Sequence, residues 1–140
     1  MKQTQTSAYR ATEVLSLSKE DLILVLYEHL MINLKRSSQQ IRAKNIEGKS
    51  ESLTRASSIV YELLASLDFE IGGDLSSRLA SLYAFWAKEI SEAGRQMDAA
   101  RLESLIELVK PLHESWQHAV KIAAGTDGVQ KQSEPSGSAR

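Results

Sequence analysis

The chain has 140 residues, 42% hydrophobic and 25% charged, with 17 basic and 18 acidic side chains. These are ordinary values for one globular domain, and they exclude wholesale disorder, collagen and coiled-coil fibre; a net charge of −1 gives no bulk electrostatic case for nucleic acid or an anionic membrane. There is no cysteine, so disulfides, cysteine-ligated zinc, iron–sulfur clusters and thiol catalysis are excluded.

Residues 1–17 are polar, with apolar points at Tyr9, Val14, Leu15 and Leu17. They read as an extended arm rather than a helix. The start, Met1 to Ser7, has no apolar signal core, and the longest apolar run, Leu22 to Tyr27, falls far short of the roughly 20 residues that span a bilayer. A soluble protein without membrane insertion is the expectation, and a reducing cytoplasm is compatible with the absence of cysteine.

Ser18-Lys19-Glu20-Asp21 reads as a helix start, with Ser18 as cap and both acids at the positive end of the dipole. The first helix is expected over about 19–45, ended by the stretch Asn45 to Ser50, in which Gly48 is the expected left-handed residue. A second helix follows over about 50–69, with apolar positions Leu53, Ala56, Val60, Leu63 and Leu67. Ile71-Gly72-Gly73-Asp74 is the next break. The third helix, about 74–94, carries Leu75, Leu79, Leu82, Trp86, Ile90 and Ala93. Gly94 to Asp98 turns the chain, and Asp98 caps a fourth helix bearing Leu102, Leu105, Val109, Leu112, Trp116 and Val120. Three of these helices share one seven-residue apolar repeat. Pro111 lies in phase within the fourth, which reads as a kink and not a break. Residues 125–140 hold one large apolar residue and read as a disordered tail.

The short linkers favour antiparallel neighbours. The expected fold is therefore all-α: an antiparallel up-down-up-down four-helix bundle over 18–124, with an extended N-terminal arm (1–17) and a disordered C-terminal tail (125–140).

Catalytic and metal chemistry finds no foothold. A di-metal carboxylate bundle needs Glu-x-x-His, and the residues three before His29, His113 and His118 are Leu26, Lys110 and Ser115. His113 and His118 are five apart, so they diverge by about 140° around a helix and do not share an ion. Gly72-Gly73 has no following Lys-Ser/Thr and reads as a turn. Lys35-Arg36 and Arg42-Ala43-Lys44 form a small basic stripe that reads as a solvated face. No enzyme activity and no cofactor are expected.

Surplus apolar surface is the unusual feature. From Leu22 to Leu34 nearly every position is large and apolar, more than one bundle seam requires. Ile106 and Leu108, and Tyr83 and Phe85, lie beside their seams. The excess reads either as the broad face of a central helix or as a groove for a partner helix. Ile23, Leu26, Tyr27, Tyr83 and Ile106 are the candidate groove residues. Leu26-Tyr27 and Leu82-Tyr83 echo each other, and core packing explains that echo as well.

These residues carry a resemblance. Leu22-Ile23-Leu24-Val25-Leu26-Tyr27-Glu28 after the Ser18 cap, with Tyr9 nine residues before it, resembles the start of the flagellar secretion chaperone FliS family. Leu63-Leu64-Ala65-Ser66-Leu67-Asp68, then Gly72-Gly73-Asp74-Leu75, Leu79-Ala80-Ser81-Leu82-Tyr83 and finally Trp116 are similar in order and spacing. Lys19 stands where the family commonly has proline, and Pro111 is outside the usual pattern. The resemblance implies a helical, non-enzymatic cytoplasmic chaperone. Such a chaperone binds the disordered C-terminal segment of flagellin, prevents premature polymerisation and assists delivery to the flagellar type III export gate. It also implies that Tyr9 belongs to a cover over the bundle and that cargo changes its position, with the arm acting either as a lid or as part of the clamp. A bundle adaptor for a different amphipathic helix is the alternative.

Overall fold

The computed structural model describes residues 18–137, with side chains described to residue 125. The arm over 1–17, with Tyr9, lies outside the described residues. Four helices follow in order: α1 (Lys19–Arg42), α2 (Ile46–Ala65), α3 (Phe69–Gln96) and α4 (Ala99–Gly137). The chain divides into two units. One is Val25–Pro111, and the other takes in the described parts of Met1–Leu24 and Leu112–Arg140.

In the Val25–Pro111 unit the helix pairings alternate in direction. Ser37 on α1 meets Ser52 on α2, Lys49 on α2 meets Gly94 on α3, and Arg101 on α4 reaches Glu89 on α3. Arg42 at the end of α1 pairs with Glu103 early in α4. This is the expected antiparallel four-helix packing. Its interior holds Leu30, Leu34, Val60, Leu63, Trp86, Ile90, Leu102, Leu105 and Val109, each at most 2% exposed. Of the seam positions read from the sequence, Leu53, Ala56, Val60, Leu63, Leu79, Trp86, Ile90 and Ala93 are core. Leu67, which lies beyond the end of α2, and Leu82 are half-buried, and Leu75 is 58% exposed.

The connections differ from the expected ones in instructive ways. After α1 the left-handed residue is Lys44, φ 59°, and not Gly48. Lys44 N–H bonds the Ile41 carbonyl and Asn45 N–H the Gln40 carbonyl, the paired closure of a helix C-terminus. Asn45 then caps α2 by accepting from Gly48 N–H at 3.0 Å, which places Gly48 inside the first helical turn. The helix therefore begins four residues earlier than the glycine suggested.

Asp68 caps α3 through Glu70 and Ile71 N–H, both at 3.0 Å. One helical turn follows before Gly73 bends the helix at φ 51°, ψ −123°. The expected break at 71–74 is thus a kink within α3. That backbone conformation is costly for any residue with a Cβ. Gly73→Ala is expected to cost about 1–2 kcal/mol, read as a lower urea midpoint, even though open space surrounds the new methyl group.

Gly94 is helical. Its role is spacing: a Cβ there would lie 2.9 Å from Leu53 Cδ1, so the glycine lets α2 and α3 approach. The chain reverses at Met97, φ 53°, and Asp98 caps α4 by accepting from Arg101 N–H at 3.0 Å, as expected.

In the other unit, Ser18 accepts from Asp21 N–H and donates to its carboxylate, the expected start of α1. Leu112, Trp116 and Val120 are half-buried on α4. The helical backbone passes Pro111 unbroken and runs to Gly137, beyond the boundary expected at 124. Gly125 and Gly128 make a helix less favourable, by about 1 kcal/mol each, without removing a hydrogen bond, so composition alone did not fix its end.

Candidate partner-binding site

The structure separates the expected groove residues. Tyr27 and Tyr83 are 0% and 2% exposed, and Leu26 is 4% exposed. They line the core of the Val25–Pro111 unit. The reason is aromatic packing. Tyr27, Tyr83 and Trp86 stack edge-on or tilted, with centroids 5.1–6.4 Å apart, and the two phenol hydroxyls bond each other at 2.8 Å. The echoed Leu-Tyr pairs thus meet across α1 and α3, where one phenol hydroxyl donates to the other. Tyr83→Phe removes that bond and is expected to cost about 1 kcal/mol; a double-mutant cycle with Tyr27→Phe should show strong coupling. Ile23 and Ile106 are each half-buried, on α1 and α4 respectively. Of the surplus apolar side chains, Ile32, Phe85 and Leu108 do reach the surface, 43–52% exposed.

A groove that the seam pattern did not reveal runs between α2 and α3. One stretch of about 480 Å³ reaches from Lys49 and Arg95 to Tyr61 and Ala87. A second, of about 370 Å³, continues past Tyr61 to Leu64 and Ala84. Tyr61, Ala87 and Ser91 line both. Leu53 and Ile90 form the floor, and Tyr61 stands at the rim, 61% exposed. The opening exists because the flanking positions are small: Ala84, Ala87, Ser91 and Gly94 on α3, and Ser57 and Ser58 on α2. The 84, 87, 91, 94 spacing is a helical stripe of small residues, legible in the sequence once one looks for absent bulk rather than for surplus.

The groove is polar along its edges. Lys49 Nζ donates to the Gly94 carbonyl at 3.1 Å, neutralising one open end of α3. Arg95 bonds Glu92 at 2.6 Å and holds that carboxyl below its ordinary range, with lesser help from Arg101 and Lys88. The bidentate Arg42–Glu103 pair likewise holds Glu103 low. A depressed carboxylate stabilises the fold above its unfolded pKa, and that contribution fades as pH falls through the folded value. Both pairs are exposed, so acid titration is expected to remove only a small, salt-sensitive part of the stability.

Among the described residues no group of three or more His, Asp or Glu is placed to hold a metal ion, and no helix is long and apolar enough to cross a membrane. The surface feature that the described residues do show is the open α2–α3 groove.

The chain is 28% identical over 122 residues to the flagellar secretion chaperone FliS of Escherichia coli, covering 85% of this chain and 90% of that protein. It is 30% identical over 111 residues to the Campylobacter jejuni chaperone of the same name, covering 79% and 87%. The Bacillus subtilis chaperone matches at 24% over 119 residues, covering 85% and 88%. A model of the family described as flagellar protein FliS matches residues 1–123, from the arm through the body of α4. With the fold, the ordered motifs and this span in agreement, the chain belongs to the FliS family of flagellar secretion chaperones.

Proposed function

We propose that this protein is a non-catalytic cytoplasmic chaperone that holds the disordered C-terminal segment of flagellin, prevents its premature polymerisation and assists its delivery to the flagellar export apparatus. The family match over residues 1–123 carries the reading. The exposed apolar side chains and the open α2–α3 groove support it, because they offer docking area for a protein segment. A disordered segment that folds onto such a surface loses ordering entropy, so its affinity stays moderate for the area it covers. That suits a cargo that must later be released.

Calorimetric titration with the C-terminal segment of the flagellin from the same cell tests this. Saturable binding with a negative heat-capacity change is expected, together with slower flagellin polymerisation in the presence of the chaperone. Absence of binding, with polymerisation unaffected, overturns the reading.

A further inference from the structure

The α2–α3 groove has a chemistry of its own. Between Ser50 and Leu64 it follows α2 for about 20 Å, the length of a helix of roughly four turns. Its walls are small on both sides, so a partner's backbone can come close, and its rim carries the exposed ring of Tyr61, a residue type enriched at binding hot spots. Its charged lining is Lys49, Arg95, Lys88 and Glu92. Glu92 is taken up by Arg95, and Lys49 is bonded to a neutral carbonyl. Glu92 is the single carboxylate set against the three cations Lys49, Lys88 and Arg95 of the lining, so positive charge is in surplus. The groove is net positive in a chain whose total charge is −1.

We infer that this groove takes an amphipathic helix of about four turns whose apolar ridge sits between α2 and α3 and whose flanks are acidic. Acidic side chains on the partner complete the two ammonium groups, while a basic flank meets like charge and is rejected. Lys49 and Lys88 set this preference, and Tyr61 adds an aromatic contact at the rim. The inference rests on the reading of the protein as a chaperone of a flagellin segment, and it specifies the part of a cargo that the groove accepts.

The test uses two synthetic fourteen-residue peptides with the same leucine and alanine face, one flanked by glutamate and one by lysine. Binding to the full chain is followed by fluorescence anisotropy at low and high salt. The glutamate peptide is expected to bind at least tenfold more tightly, with the advantage shrinking as salt rises. Lys88→Glu should reduce or reverse the preference. Ala87→Trp fills the groove and should lower glutamate-peptide affinity at least tenfold, with helix content and melting temperature checked beside it. Equal binding of the two peptides overturns the inference, and so does a folded Ala87→Trp variant that binds like the parent. The flagellin segment is titrated in parallel. If it binds the parent and Ala87→Trp equally, the groove inference falls and the chaperone reading stands. If the glutamate peptide binds as expected but the flagellin segment does not bind at all, the groove preference stands and the flagellin reading falls.

Discussion

Trp86→Ala is expected to cost about 3–5 kcal/mol of folding stability, a large share of the roughly 5–15 kcal/mol that a domain commonly has. Trp86 is 0% exposed and lies 5.8 Å from the Tyr27 ring and 5.1 Å from the Tyr83 ring, centroid to centroid. Its removal opens a cavity bounded by two rings whose hydroxyls are tied to each other at 2.8 Å, so the site has little freedom to collapse. Urea unfolding followed by circular dichroism reads the loss directly. Trp86→Phe is the informative partner. The indole Nε1 has no hydrogen-bond partner among the described residues, so exchanging it for a phenyl ring loses volume without orphaning a polar group. The phenylalanine variant should therefore keep most of the stability that the alanine variant loses. A loss below about 1 kcal/mol for Trp86→Ala would show that this aromatic cluster is not the centre of the core.

Tyr61→Asp is expected to act in the opposite way, on binding and not on folding. Tyr61 is 61% exposed at the groove rim, so its replacement should change stability by no more than about 0.5 kcal/mol. Losing the ring from a docking groove and adding a negative charge beside an acidic partner helix should weaken capture of the flagellin segment about 30-fold, equivalent to about 2 kcal/mol. Titration of parent and variant with the same segment reads this. The matched control is Tyr83→Asp, which places an unpaired charge in the core and should unfold the protein. A Tyr61→Asp variant with full affinity would move the docking surface away from the α2–α3 groove.

The difference between Tyr61 and Tyr83 marks what the sequence determined and what it did not. Periodicity determined the helices, because burying one face of a helix imposes a repeat that can be read along the chain. Leu53, Ala56, Val60 and Leu63 were legible as a seam for that reason, and the caps at Ser18 and Asp98 because short-range hydrogen bonds depend on local residue type. Local rules were weaker where the chain turns. Lys44 and Met97 adopt the left-handed conformation although glycines lie nearby, since the closing hydrogen bonds of each helix end and the packing beyond it choose the position.

Which apolar residues are buried and which stay exposed was decided only by tertiary structure. Surplus bulk on α1 and α3 suggested a groove at Leu26, Tyr27 and Tyr83, and packing of α1 on α3 consumed that surplus in the aromatic core. The open groove formed instead where Ala84, Ala87, Ser91 and Gly94 face Ser57 and Ser58. A helix repeat reports how much apolar surface must be covered; whether a neighbouring helix or a partner covers it depends on how closely two backbones approach, and that distance is a property of pairs of helices which no single stretch of sequence contains.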